Sequence, residues 1–536
     1  MKVRTPLRAT AVAAALVLGL AACGGGSDDP ESDDPAAEPT GAAGGEYIAE
    51  VTEPTFLAPA SNCYESECSA ILDMVNDPLV STDAESGELV YDGLAESIEA
   101  NEEQTVWTVT LKEGRTFQNG EPVDSESFAR AWNYSQNPKN AQATAGFMSH
   151  IEGAGEGKEM AGFKVVDERT FEVTLNAPFS QFGAQMSYAP AFAPIAQECM
   201  DDLKACNEQP IGTGPYMMDG PWQHDEAITV TRWEDYAGDQ VGQADKVTFQ
   251  MFTDPTAAFR DFQNGGLDVI SLAPEVYLEA KGTLGDAIIE EPTASLTYLG
   301  FPINEAPYDN EKVRQAISMS IDRQLIVDQV LNGLGYPSTD IVTPPIPGSR
   351  DDACGYCVFD PEQAKQLLEE SGVDPNQTLQ YYFNADAGHD AWVEAAARQV
   401  QENLGFDYKL QSTEWAQYLE LLDAQDFTGP FRLGWSLDYP SPENYIRPIV
   451  GTNGDSNYTG YSNKELDDLL VQGDAAPTLE EGFEYYQQAG DIALEEMPII
   501  PMWSGGTAIA YSDEVGDVRY DVGQGEIAFK EITVTQ

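Results

Sequence analysis

Positive charge is scarce in this chain of 536 residues: 27 Lys and Arg stand against 91 Asp and Glu, with three histidines and a formal net charge of −64. A surface this acidic repels nucleic acid and anionic headgroups, so nucleic acid is not expected as a partner. The acids are scattered rather than clustered, which reads as a solvated shell suited to a salty or variable exterior. Long apolar runs are also missing. The one run present, Ala9 to Leu20, is shorter than the ~20 residues a bilayer core requires. Catalytic signatures are absent: no HExxH, GxSxG or SxxK occurs, and His150, His224 and His389 lie far apart in sequence. Gly212 and Gly214 lack the lysine and spacing of a phosphate loop. No enzyme activity, cofactor or metal is therefore expected, with a secreted enzyme kept as the alternative from a different class.

What is present begins at the N-terminus. Lys2, Arg4 and Arg8 precede the apolar run, and Leu20-Ala-Ala-Cys23 closes it. This has the order of a secretory signal rather than a membrane helix. The ending resembles a bacterial lipobox, which implies a signal peptide over 1–22 and a lipid-bearing Cys23. Acyl chains such as palmitate would then anchor the protein to the cell membrane on its extracytoplasmic side. Residues 24–45 are Gly, Pro, Ser, Thr, Ala and acids, with no large apolar side chain. They cannot bury enough surface to offset their ordering entropy, so 23–45 reads as a disordered acidic tether, with folding expected from about Tyr47. The other six cysteines form three close pairs: Cys63 and Cys68, Cys199 and Cys206, Cys354 and Cys357. In an oxidising exterior, local disulfides are the simplest of the fifteen connectivities. A zinc site at Cys354 and Cys357 is the poorer reading, since no second Cys or His pair accompanies them.

The early part alternates like sheet. Trp107, Val109 and Leu111 repeat at period two, as do Phe171, Val173 and Leu175, and strands are expected at 229–232 and 247–252. The later part reads as helical. Asp360-Pro-Glu-Gln363 predicts a capped helix start with a capping box, stopped by Gly372. Ser462-Asn-Lys-Glu465 predicts a second box ahead of Leu466, Leu469 and Leu470. A third helix from about Glu311 places Val313, Ala316, Ile317 and Ile321 on one face. Strands mixed with helices and no repeating period argue for α/β domains.

Several phrases in order resemble the extracytoplasmic solute-binding proteins of ABC importers, the family-5 group of oligopeptide and dipeptide binders. They are Leu94-Ala-Glu-Ser97, the stretch from Trp107 to Phe117 with Asn119-Gly-Glu-Pro122 and Asp124, and Ile211-Gly-Thr-Gly-Pro-Tyr216. Val313-Arg-Gln-Ala316 with Ile321-Asp-Arg323, Phe359-Asp-Pro-Glu-Gln-Ala364, Gly434-Trp-Ser-Leu-Asp-Tyr-Pro440 and Pro498-Ile-Ile-Pro501 follow. The resemblance implies a two-lobed α/β fold of the periplasmic-binding-protein type (type II), with a hinge-closing cleft and an inserted domain. Lobe one is placed at 46–83, 208–305 and 506–536, the insert at 84–207 and lobe two at 306–505. It also implies a monomer that passes short peptides to an ABC permease and its separate ATPase.

A peptide offers its backbone and charged ends whatever its sequence, so a strand-like slot plus one carboxylate for the α-ammonium suffices. The resemblance points to Asp438 for that carboxylate and to Trp435 as a cleft wall, with Trp415, Tyr439 and Asn304 as further lining candidates. From the residues alone, Asp438 reads rather as closing a turn before Tyr439-Pro440, and Trp435 could equally be core packing. Peptide binders often carry an acidic residue before the proline, where this chain has Ser441-Pro442. An oligosaccharide or chelated nickel therefore stays open as the solute.

Overall fold

Two strands of thirteen residues, Ile288–Gly300 and Ile499–Tyr511, organise the molecule. The structure is a computed structural model that describes residues 44–535 except 59–62, 64, 84–85 and 386–387. The expected signal segment, Cys23 and the tether up to residue 43 lie outside the described residues. In chain order the main strands of the large sheet are β1 (Glu46–Val51), β2 (Tyr216–Met218), β3 (Ala227–Arg232), β4 (Lys246–Met251) and β5 (Val269–Ser271). Then come β6 (Ile288–Gly300), β7 (Thr378–Asn384), β8 (Asp407–Thr413), β9 (Phe431–Ser436) and β10 (Ile499–Tyr511). They lie in the order β8-β7-β9-β6-β10-β5-β1-β4-β3-β2, and the short Tyr336–Pro337 strand makes this an eleven-stranded mixed sheet.

β6 and β10 run through both halves of that sheet. Ile288–Pro292 pairs with Gly506–Ala510, and Leu296–Gly300 pairs with Ile499–Ser504; the register shifts between Pro292 and Leu296. An interruption of this kind bends a strand pair. It separates two cores. On one side β1, β4 and β5 pack with the helix Ser66–Val75 around Tyr47, Ile71, Tyr216 and Phe249. On the other, β7, β9, the second half of β6 and the first half of β10 pack with later helices around Tyr298, Tyr308, Trp392 and Tyr445.

A separate four-stranded sheet, Ala95–Ala100, Val106–Leu111, Thr170–Thr174 and Phe163–Asp167 in spatial order, carries a third core. Trp107, Val109 and Leu111 face inward there, as their alternation predicts. Trp132 lies 5.0–5.7 Å, edge-on, from Phe163, Phe171 and Phe192. Such pairs add about 0.5–1.5 kcal/mol each beyond burial. All three expected disulfides are formed: Cys63–Cys68, Cys199–Cys206 and Cys354–Cys357.

Three helix expectations are corrected in detail. Asp360 accepts the N–H of Gln363 at 3.0 Å, but no return bond from the Gln363 side chain completes a box. At the second start the N-cap is Asn463, not Ser462. The Asn463 amide oxygen reaches two backbone N–H groups, Glu465 and Leu466, and Ser462 bonds Thr452 instead. The third helix is two, Glu311–Met319 and Arg323–Gln329, because the Asp322 side chain accepts the Leu325 N–H and restarts the chain. Ile321 sits in the break, still buried.

The sequence phrases gain physical reasons. Gly212 and Gly214 lie against the end of the helix Ser66–Val75, where a Cβ on Gly212 would come 1.7 Å from the Val75 carbonyl oxygen. No side chain fits there. Arg314 and Arg323 are buried and bonded almost wholly to carbonyls: Arg314 to Tyr308, Glu496 and Met497, Arg323 to Pro501 and Cys357 among others. Among the described residues, no helix is long and apolar enough to cross a membrane.

Candidate functional site

A cavity of about 300 Å³ opens where the β6 register breaks. It draws on every section of the fold: Glu65, Ser66 and Ser69 at the start of the first helix, Tyr188 from the segment after the four-stranded sheet, and Thr293 to Ser295 from the break itself. Ser436 to Asp438 at the end of β9 and Tyr520 with Gln524 to Glu526 from the C-terminal hairpin complete it. Larger depressions of about 580 and 630 Å³ each lie within one section, residues 306–377 and 126–200. A site that senses the arrangement of the two halves needs walls from both, and among these cavities only the first has them.

Asp438 enters this cavity because β9 ends at Ser436 and the chain turns into the helix Glu443–Val450. Asn444, in the first turn of that helix, grips the aspartate twice: its Oδ1 accepts the Asp438 N–H at 2.9 Å, and its Nδ2 donates to Asp438 Oδ2 at 3.0 Å. Among the described residues, the side-chain hydrogen bond that Asp438 accepts is the one from Asn444 to Oδ2, which leaves Oδ1 open. Burial pushes the Asp438 carboxyl up to about 6, offset in part by the Asn444 bond. No lysine, arginine or histidine is among the residues lining the cavity.

Behind Asp438 the charges are closed. Tyr439 is buried; its hydroxyl donates to Glu443 Oε2 at 2.5 Å, and Glu443 also accepts from Arg447. Arg447 continues to Asp474, which accepts from the Tyr486 hydroxyl at 3.0 Å. This network fixes the helix that carries Asn444.

The remaining candidate residues fall elsewhere. Trp435 pairs with Leu296 in the sheet and packs on the core of the later half, its Nε1 buried without a hydrogen-bond partner. Ser436, one residue on, points to the other face, as strand alternation requires. Trp415 is 38% exposed at the start of the helix Trp415–Ala424, beside Tyr418. Asn304 is exposed next to Gly460. Neither Trp415 nor Asn304 lines the cavity, and Tyr439 belongs to the buried network. Sequence reading missed Tyr188, Asn444, Tyr520 and Glu526. The turn residues Asp521-Val-Gly-Gln-Gly525 would have marked a hairpin, but nothing local aims that hairpin at Asp438.

Comparison with known proteins bears on the whole arrangement. Residues 90–457 match the family described as bacterial extracellular solute-binding proteins, family 5 middle. The oligopeptide-binding protein OppA of Bacillus subtilis is 28% identical over 432 residues, 77% of this chain and 79% of its own. The heme-binding protein A of Haemophilus influenzae is 29% identical over 360 residues, 63% of each chain. The Escherichia coli murein tripeptide binding protein MppA has a solved structure that superposes with a TM-score of 0.74, over 92% of this chain and 99% of that one. At its 23% identity that likeness shows the fold.

Proposed function

The chain belongs to family 5 of the bacterial extracellular solute-binding proteins, and on that footing we propose that it captures short peptides in the cavity at the β6 break and delivers them to an ABC importer. As a member of that family it is an extracytoplasmic binding protein and not an enzyme. The observation that carries the peptide reading is Asp438: a carboxylate held by Asn444, with one oxygen left open in a cavity without a lining cation. An α-ammonium supplies the missing charge and donors. A buried ammonium–carboxylate pair is strong once further hydrogen bonds complete it.

The peptide backbone has a partner in β9. β7 pairs with β9 only at Tyr382 and Phe431, so beyond that point β9 has no strand on its β7 side among the described residues. An extended guest adds there as a strand. Trp435 backs this edge. The two long strands, interrupted at Thr293 to Ser295, are the hinge about which the halves close over the solute. The relative named for heme shows that the family reaches other solutes, but a sugar or heme site calls for stacking aromatics rather than an open carboxylate. Outside the cavity, the lobes follow the limits 46–83 with 208–305 and 506–536, and 306–505, the insert spans 84–207, and lipid on Cys23 holds the whole at the membrane beside its permease.

Calorimetry with a free tripeptide and its N-acetylated form tests the reading. The acetylated peptide, which lacks the charge, is expected to bind about a hundredfold more weakly. Equal affinities would remove Asp438 from this role.

A further inference from the structure

The cavity contains a second open carboxylate that α-ammonium capture leaves unused. Glu526 projects from the C-terminal hairpin, Tyr520–Asp521 with Glu526–Ile527. Its Oε2 is shut away from solvent without a hydrogen-bond partner. Leaving a buried carboxylate unpaired is costly, so its charge calls for a partner. The cations nearest in sequence are already occupied. Lys530 donates to Asp73 at 2.9 Å, and Arg519 bonds Glu531 and Asp521. Lys530 still exerts an attraction on Glu526, while Asp73 and Asp521 oppose it. Burial and those two carboxylates hold the Glu526 carboxyl well above its ordinary range.

Glu526 and Asp438 come from opposite halves of the fold and meet the same solute space. Burial, with the fields of both carboxylates added, pushes the Tyr188 hydroxyl's pKa up and keeps it protonated. The third lining carboxylate, Glu65, is spent on the Thr55 N–H and hydroxyl. Among the described residues no trio of acidic, His or Cys side chains is placed to hold one metal ion. Separate carboxylates brought to one cavity from different chain sections suit one guest with two cationic groups, rather than a point charge.

We propose that Glu526 selects peptides whose first residue carries a side-chain cation, lysine above all, pairing with its ε-ammonium while Asp438 takes the α-ammonium. This rests on the peptide reading above. A first-position lysine carries its two ammonium groups at the ends of a five-carbon chain, which lets one residue bridge the two carboxylates. The bridge also ties the hairpin of one half to β9 of the other, so the same contact favours closure.

Calorimetry on the purified full chain in detergent provides the test, with Lys-Ala-Ala against norleucine-Ala-Ala, whose side chain has nearly the same length and no charge. Lys-Ala-Ala is expected to bind at least tenfold tighter to the wild-type protein. In Glu526→Gln the two peptides are expected within twofold of each other. In wild-type protein near pH 6, Lys-Ala-Ala is expected to release more protons than norleucine-Ala-Ala, read from the heat difference between two buffers. That measurement serves even if Glu526→Gln fails to fold. Equal wild-type affinities, a lysine preference that survives Glu526→Gln, or equal proton release would overturn the role of Glu526 and leave peptide capture standing. Failure of both peptides to bind would take down the peptide reading and this one with it.

Discussion

Buried charge is treated in two opposite ways in this protein. In the later half, Arg314 and Arg323 are wrapped by backbone carbonyls from several segments. In the cavity, among the described residues, Asp438 keeps one oxygen free and Glu526 Oε2 has no partner. The arginines join the ends of strands and helices that would otherwise leave carbonyls unsatisfied, so they act as structural bolts. The carboxylates leave a debt that folding alone does not settle. A group closed by its own chain belongs to stability, and a group left open belongs to a ligand.

The sharpest way to break that contrast is to remove a bolt. Arg323→Ala strands the Pro501 and Cys357 carbonyls and opens a cavity in the core. A stability loss of about 4 kcal/mol is expected in denaturant titration. Removing the open charge has the reverse profile. Asp438→Asn is expected to lose about 3 kcal/mol of peptide affinity, near a hundredfold, by calorimetry. Its stability at pH 7 should not fall, since an unfavourable buried charge has gone. Glu443→Gln is an intermediate case, because its carboxylate is closed but ionic, shared by Tyr439 and Arg447. It is expected to lower stability by about 2 kcal/mol, with peptide Kd moving less than threefold. A hundredfold loss of affinity there would mean that the network reaches the solute, and the contrast would fail.

How much of this was legible beforehand follows the same division. The period-two strand at Trp107, the helix start at Asp360-Pro361 and the adjacent cysteine pairs are local, and sequence spacing exposes them. The split of the Glu311 helix was hidden, because Ile321 keeps helical spacing while Asp322 caps a new start. At the second cap Ser462 and Asn463 are both competent, and only geometry shows that Asn463 spans two amides. Of the site, Asp438 was legible through its neighbours Trp435 and Tyr439. Its holder Asn444 sits six residues away, and Tyr188 and Glu526 sit hundreds of residues apart. A cavity built from five chain sections has no sequence signature, since its polarity is a property of their meeting.

The smallest expected effect separates open from closed charge by pH. The Asp438 carboxyl moves from an ordinary 3.8 to about 6 on folding. Between those values the folded chain holds a proton that the unfolded chain has lost, so stability falls as pH rises through that window and returns on acidification. From pH 7 to pH 5, with no solute present, Asp438 alone should contribute about 1 kcal/mol of added stability. Glu50, Asp77 and Asp474 are also pushed up, to about 7, 6 and 6, and share that direction. The quantity to measure is therefore the difference in this pH response between wild type and Asp438→Asn. Peptide affinity should move the other way, weakening over the same acidification, because a protonated Asp438 no longer offers the α-ammonium a charge. If acid strengthened binding as well as folding, the α-ammonium would not be drawing on the Asp438 charge, and the distinction between the two kinds of buried charge would collapse at the residue where it matters most.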